Sequence, residues 1–243
     1  MISKGLHKFQ SRIGYFSVDL EMVNVIRNNI DKFKGDEVIF SGVTKGAHPK
    51  LFSYANTDNA RDKVICHLRK TIYVSYIKEV YEEVAEYIKY ILYHGSQTSS
   101  NIFRLIGEHN KSHFDAYTIL SANSYDKIVH TVIESIFQQL ENERSSIDLI
   151  KKTIKKLDLE VDMNIVEQAI PYLEIRHIYV HSDGVPKQEF LERYPHIKLD
   201  KKGRIGLSRD LLQKTRTKIT ALLQCIDNSM IAKGLIPVEE YFN

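Results

Sequence analysis

"TDNARDKVICHLRKTIYVSYIKEVYEEVAEYIKYILYHG", residues 57–95, decides the fold. Val64, Leu68, Ile72, Ile77, Val80, Val84, Ile88 and Leu92 recur mostly at three- and four-residue steps. That spacing is the apolar stripe of an α-helix, and no proline interrupts it. Asp58 or Asn59 can cap its start, and Gly95 can end it. Tyr73, Tyr76, Tyr81, Tyr87, Tyr90 and Tyr93 widen the face available for burial; they suit core packing, or a stacking platform for bases. Glu82 and Glu83 read as part of its solvated side.

The same period recurs outward from this helix. Ile13, Phe16, Leu20, Val23 and Ile30 mark a helix within residues 11–33. A break at "KGDE" opens a glycine-containing segment, residues 38–59, that reads as a loop with one short strand. "SSNIFRLIGEH" is a short helix. Ile128, Val132, Ile136 and Leu140 mark another, and Ile147, Ile150, Ile154 and Leu157 the next. Asp162 caps a helix striped by Val166, Ile170, Leu173 and Ile178, which Pro171 can kink. "HIKLDKKGRIGLS" alternates around a Lys-Lys-Gly turn, as a small β-hairpin does. A final helix runs from a Ser208 cap to Gly234. The expected fold is all-α: an antiparallel bundle of six or seven helices, with a small extended or β-hairpin insert before the last. Residues 1–57 form an N-terminal helix and loop extension, and residues 58–243 the main helical domain.

The 243 residues carry a formal net charge of +3 and are 43% hydrophobic, as a soluble globular chain is. That balance permits an anionic partner without demanding one. Cys66 and Cys225 lie in apolar helical runs without a CxxC, so both are expected as buried free thiols in a reducing compartment. "MISKGLHKFQ" lacks the apolar core of a secretory signal, and no apolar run approaches a membrane span. A cytoplasmic protein with no membrane partner is expected.

"RHIYVHSDGVP", residues 176–186, concentrates the chemistry. His177 and His181 are i and i+4, neighbours on one helix face, and Arg176 stands about 140° from His181. Three readings fit. An arginine and two histidines at a helix C-terminus complement its dipole and last carbonyls. A histidine pair at this spacing also suits zinc, but Ile178 stands where HExxH has glutamate, and a third ligand would have to come from Asp183 or elsewhere. Finally, metal-independent RNA cleavage needs a group that moves protons near neutral pH and a fixed cation on the phosphate; histidine and arginine supply them.

"R-H-I-Y-V-H" resembles the R-X4–6-H motif of the HEPN superfamily, in which the residue after the arginine is often Asn, Asp or His. "H-S-D-G-V-P" is similar to the H-N-x-G continuation of prokaryotic members, although Ser182 stands where many have Asn. A small extended insert and one last helix follow, as in several such families. The resemblance covers roughly residues 60–232; residues 1–57 have no counterpart in it. It implies an α-helical bundle that dimerises, bringing two motifs into one cleft. The implied activity is that of a metal-independent endoribonuclease of a toxin–antitoxin or anti-phage system, with RNA as substrate, no cofactor and an antitoxin or other regulatory protein as partner. Arg176 would hold and polarise the scissile phosphate, His181 would be the general acid–base and His177 would orient the phosphate or its partner. The 2′-OH would attack the adjacent phosphate, leaving a 2′,3′-cyclic phosphate and a 5′-OH. The implied alternative is a non-catalytic module that binds a nucleotide, RNA or protein.

Lys151, Lys152, Lys155 and Lys156 form a basic run, either a plain solvated helix face or an RNA phosphate contact. "GVTKGAHPK" (42–50) is not a GxxxxGK[ST] phosphate loop. His94, His109, His113 and His130 are scattered and read as helix-end or surface residues, and "SHFD" (112–115) carries no argument of its own. Asp183 can orient His181 or form a turn. Glu174 lies two residues from Arg176 and is not its partner on a helix.

Overall fold

The protein is seen in a computed structural model, which describes residues 1–32, 40–55, 59–97, 105, 114, 116–141 and 146–242. Nine α-helices lie among the described residues: α1 Lys4–Asn28, α2 Pro49–Ala55, α3 Ala60–Ser96, α4 Ala116–Ser121, α5 Tyr125–Glu141, α6 Ser146–Leu157, α7 Met163–His181, α8 Gln188–Arg193 and α9 Arg209–Ala232. Six have twelve residues or more and make up the all-α bundle that the periodicity predicts. Apart from Leu105, the expected short helix over 99–109 lies outside the described residues, as do the Asp58 cap, the "KGDE" break, His109 and His113.

At 37 residues, α3 is about 55 Å long and forms the axis of the molecule. Ile77, Val80, Val84, Ile88, Ile91 and Leu92 bury its apolar stripe, joined by the rings of Tyr73, Tyr76, Tyr81 and Tyr87. Leu6, Phe9, Ile13 and Val23 of α1 enter the same core, with Val166, Ile170 and Leu173 of α7 and Ile219, Leu222 and Ile226 of α9. Polar cross-links give the relative directions. Arg12–Glu83 and Arg27–Asp62 run α1 against α3. Lys89–Glu134 and the stacked Tyr93–His130 rings run α5 against α3, and Lys218 bonding Gln168 links α9 to α7. Leu68, near the start of the predicted stripe, is 39% exposed although Ala60 and Ile65 before it are buried, and Cys66 is exposed rather than buried as expected.

Local chemistry adjusts several predicted boundaries. α1 begins at Lys4, not near residue 11, because the Ser3 hydroxyl accepts the Leu6 N–H at 3.0 Å and starts the helix there. Ser3 also belongs to β1 (Ile2–Ser3), which pairs antiparallel with β2 (Tyr241–Phe242). Two-residue strands are too short to show alternation, so the pair left no sequence signal. Gly95 lies within α3 instead of ending it. A Cβ there would collide with Leu157 Cδ2, so this glycine serves the close approach of α6.

The predicted hairpin is present as an antiparallel bridge between Leu199 and Ile205. Asp200 shapes its turn by accepting the N–H groups of Lys202 and Arg204 at 2.8 and 3.0 Å, and Gly203 takes φ 72°. α9 starts at the Ser208 cap and is closed by Gly234 at φ 63°, as expected. No helix among the described residues is long and apolar enough to cross a membrane.

Candidate functional site

The site grows from α7. The Asp162 carboxylate accepts the Asn164 N–H at 2.9 Å and opens the helix. Val166, Ala169, Ile170, Pro171, Leu173 and Ile175 are buried and fix which face turns inward. Arg176 is left partly buried, with His177 and His181 on the exposed side. At the C-terminus the Ile178 carbonyl accepts from both Ser182 and Gly184, at 3.0 and 3.1 Å. Asp183 and Gly184 both take positive φ, 47° and 84°. A Cβ on Gly184 would stand 2.7 Å from the Tyr179 ring, so a glycine is required on steric grounds as well. Tyr179 in turn donates its hydroxyl to the Ile205 carbonyl, and the Ile205 N–H donates to Gly184 O at 2.9 Å. These two bonds clamp the hairpin against the end of α7. Burial pushes the Tyr179 phenol far above its ordinary pKa, so it remains a donor.

The His177 and His181 rings lie 4.4 Å apart, tilted by 43°. Desolvation lowers the His177 pKa, and the neighbouring His181, Arg176 and Lys187 lower it further. His177 therefore stays neutral to more acidic pH than a free imidazole and keeps an open acceptor nitrogen. Arg176 turns toward α3. Its guanidinium sits over the Tyr81 ring, 4.4 Å from the centroid, and Nη2 donates to Glu82 Oε1 at 3.1 Å. The Arg176 Nε is buried without a hydrogen-bond partner among the described residues.

Tyr81 and Glu82 are what the sequence reading missed. The separation from Arg176 is 94 positions for Glu82, beyond the reach of any local periodicity. Of the two glutamates read as a solvated face, Glu82 is exposed as expected while pairing with Arg176, whereas Glu83 is buried against Arg12.

The other candidates are placed as follows. Lys151 and Lys155 are exposed on α6. The reading of Lys156 as a solvent-facing phosphate contact is corrected: its residue is buried, and Nζ donates to the Leu105 carbonyl at 2.8 Å. Lys152 is half-buried. The C-terminal lysines of α6 lie beside the start of α7, whose 19 residues put His181 about 27 Å further along. Asp183 engages Arg204 at 2.7 Å and Lys70 at 3.9 Å. Among the described residues no three His, Cys, Asp or Glu side chains converge as a metal-binding group. A cavity of about 240 Å³ between α1, α3 and α5 is lined by Glu83, Glu86 and Glu134, but Arg12 and Lys89 already pair these carboxylates.

No protein-family model, no curated protein and no solved structure matches the chain.

Proposed function

We propose that the chain is a metal-independent endoribonuclease of the HEPN-like kind, cleaving RNA at a cleft formed by the motifs of two copies. One observation carries the reading: an exposed, touching pair of histidines, one of them biased to the neutral state, beside a partly buried arginine held by an aromatic face. Transfer of a phosphoryl group to the neighbouring ribose oxygen needs a proton acceptor, a proton donor and a cation on the non-bridging oxygens.

In this reading His177 orients the phosphate and stays neutral, so that no charge beside His181 opposes its uptake of the 2′-OH proton. His181 takes the proton as O2′ attacks phosphorus. The P–O5′ bond breaks, and His181 of the second copy protonates O5′. The products are a 2′,3′-cyclic phosphate and a 5′-OH. Arg176 carries the charge that builds on the phosphorane oxygens, for which its planar fork is suited. Lys151 and Lys155 extend the contact to more distant phosphates. An enzyme of this kind would need an antitoxin or other regulatory protein to hold it off.

The test is cleavage of total cellular RNA by purified protein in excess EDTA, beside Arg176→Ala and His181→Ala. Cleavage by wild type alone is the expected result. Retained RNA affinity without cleavage would assign the chain to the non-catalytic binding module, and cleavage only on adding metal would overturn the metal-independent mechanism.

A further inference from the structure

The Arg176 guanidinium is gripped on one face and along half of one edge. Tyr81 supports the face, and Glu82 takes Nη2. Nε shares that edge with Nη2 and has no partner among the described residues. Such an edge offers two parallel donors and is matched by an anion with two suitably spaced oxygens. Glu82 satisfies one donor and leaves a buried one unmet, which is unfavourable. The partners are also unequal: the Glu82 side chain is 58% exposed and that of Arg176 only 23%. The carboxylate can return to water at little cost, whereas the guanidinium stays where Tyr81 holds it.

We propose that Glu82 is a positioning residue that occupies the phosphate-binding edge of Arg176 in the free protein and is exchanged for an RNA phosphate. The phosphate takes both Nη2 and Nε, so binding repairs the orphaned donor as it displaces the carboxylate. Tyr81 keeps the guanidinium in register during the exchange. The identity of the anion rests on the ribonuclease reading; the edge itself accepts any phosphate.

The test combines two readouts on wild type, Glu82→Gln, Arg176→Ala and the double variant, all in EDTA. The first is the side-chain Nε–H resonance of Arg176, titrated with inorganic phosphate. The second is KM and kcat on a short single-stranded RNA. Glu82→Gln is expected to bind phosphate and to lower KM roughly threefold to tenfold, with kcat little changed. In the Arg176→Ala background, where neither that resonance nor cleavage remains, affinity for the same RNA is read instead, and Glu82→Gln is expected to change nothing, a coupling that a general charge effect would not produce.

Equal KM and equal phosphate binding in wild type and Glu82→Gln would overturn the exchange. So would the same gain with Arg176 absent. Arg176-dependent cleavage with an unmoved KM sinks the exchange and leaves the ribonuclease reading standing. A phosphate response enhanced by Glu82→Gln, with no cleavage by any variant, does the reverse. Tyr81→Phe keeps the ring face and should behave as wild type; Tyr81→Leu should raise KM.

Discussion

Ser3 and Asp227 tie the first turn of the chain to its last long helix. The Asp227 carboxylate, fully buried, accepts the Ser3 N–H at 2.9 Å and the Ser3 hydroxyl, with the Tyr87 hydroxyl at 3.0 Å as a third donor. A buried carboxylate is tolerable only with its lone pairs met, and here three donors from two residues meet them. Asp227→Ala would strand those donors in the core. The expected cost is about 3 kcal/mol, read as a lower urea midpoint at unchanged m-value. Tyr87→Phe removes one bond only and should cost about 1 kcal/mol.

The helical core was legible in the sequence because it rests on local periodicity: Ile77, Val80, Val84, Ile88 and Leu92 repeat within one helix and are buried where the repeat puts them. The Ser3–Asp227 anchor was not legible, since it joins positions 224 apart through polar atoms that leave no period. The candidate site divides the same way. The His177–His181 contact follows from helix geometry. The Arg176–Glu82 pair follows from how α3 and α7 cross, and Lys156 turns inward because Leu105 offers a carbonyl there.

Acid should destabilise the fold through His94. Its pKa is lowered, first by burial and then by His130, against opposing pulls from Glu240 and Glu239. A histidine with a depressed folded pKa binds its proton more readily when unfolded. Stability is therefore undiminished above the unfolded value of about 6.5 and falls as pH drops through the lower folded one. His177 acts in the same direction. Melting temperatures from pH 7.5 down to pH 4.5 should decline less steeply for His94→Gln than for wild type.

The pH–rate profile should carry the mark of His177. With its pKa below the ordinary histidine value, the acid limb of kcat/KM is expected below about pH 6.5. Lys187 contributes to that depression, so Lys187→Gln should move the limb toward higher pH without altering the fold. An unmoved limb would remove His177 from the reacting protonation state.

Gly184→Ala should be costly for two separate reasons. The position takes φ 84°, where a Cβ is strained, and that Cβ would meet the Tyr179 ring at 2.7 Å. Together these should cost about 2 kcal/mol in chemical denaturation. Because Gly184 O receives the Ile205 N–H, the hairpin clamp should loosen as well, read as faster amide exchange at Ile205.

The lysines of α6 should separate into two classes. Lys151 and Lys155 are exposed, so replacing either with alanine should weaken RNA binding about equally across sequences and reduce the salt slope by about one. Lys156 is buried, with Nζ on the Leu105 carbonyl. Lys156→Ala should instead lower stability, by about 1–3 kcal/mol, because it leaves that carbonyl without its charged donor. Its salt slope should match wild type. Affinity against log salt, measured beside urea midpoints for the three single variants, makes the distinction. A reduced slope for Lys156→Ala would place its ammonium on the nucleic acid and overturn the packing account; unchanged slopes for Lys151→Ala and Lys155→Ala would confine RNA to the α7 end of the bundle.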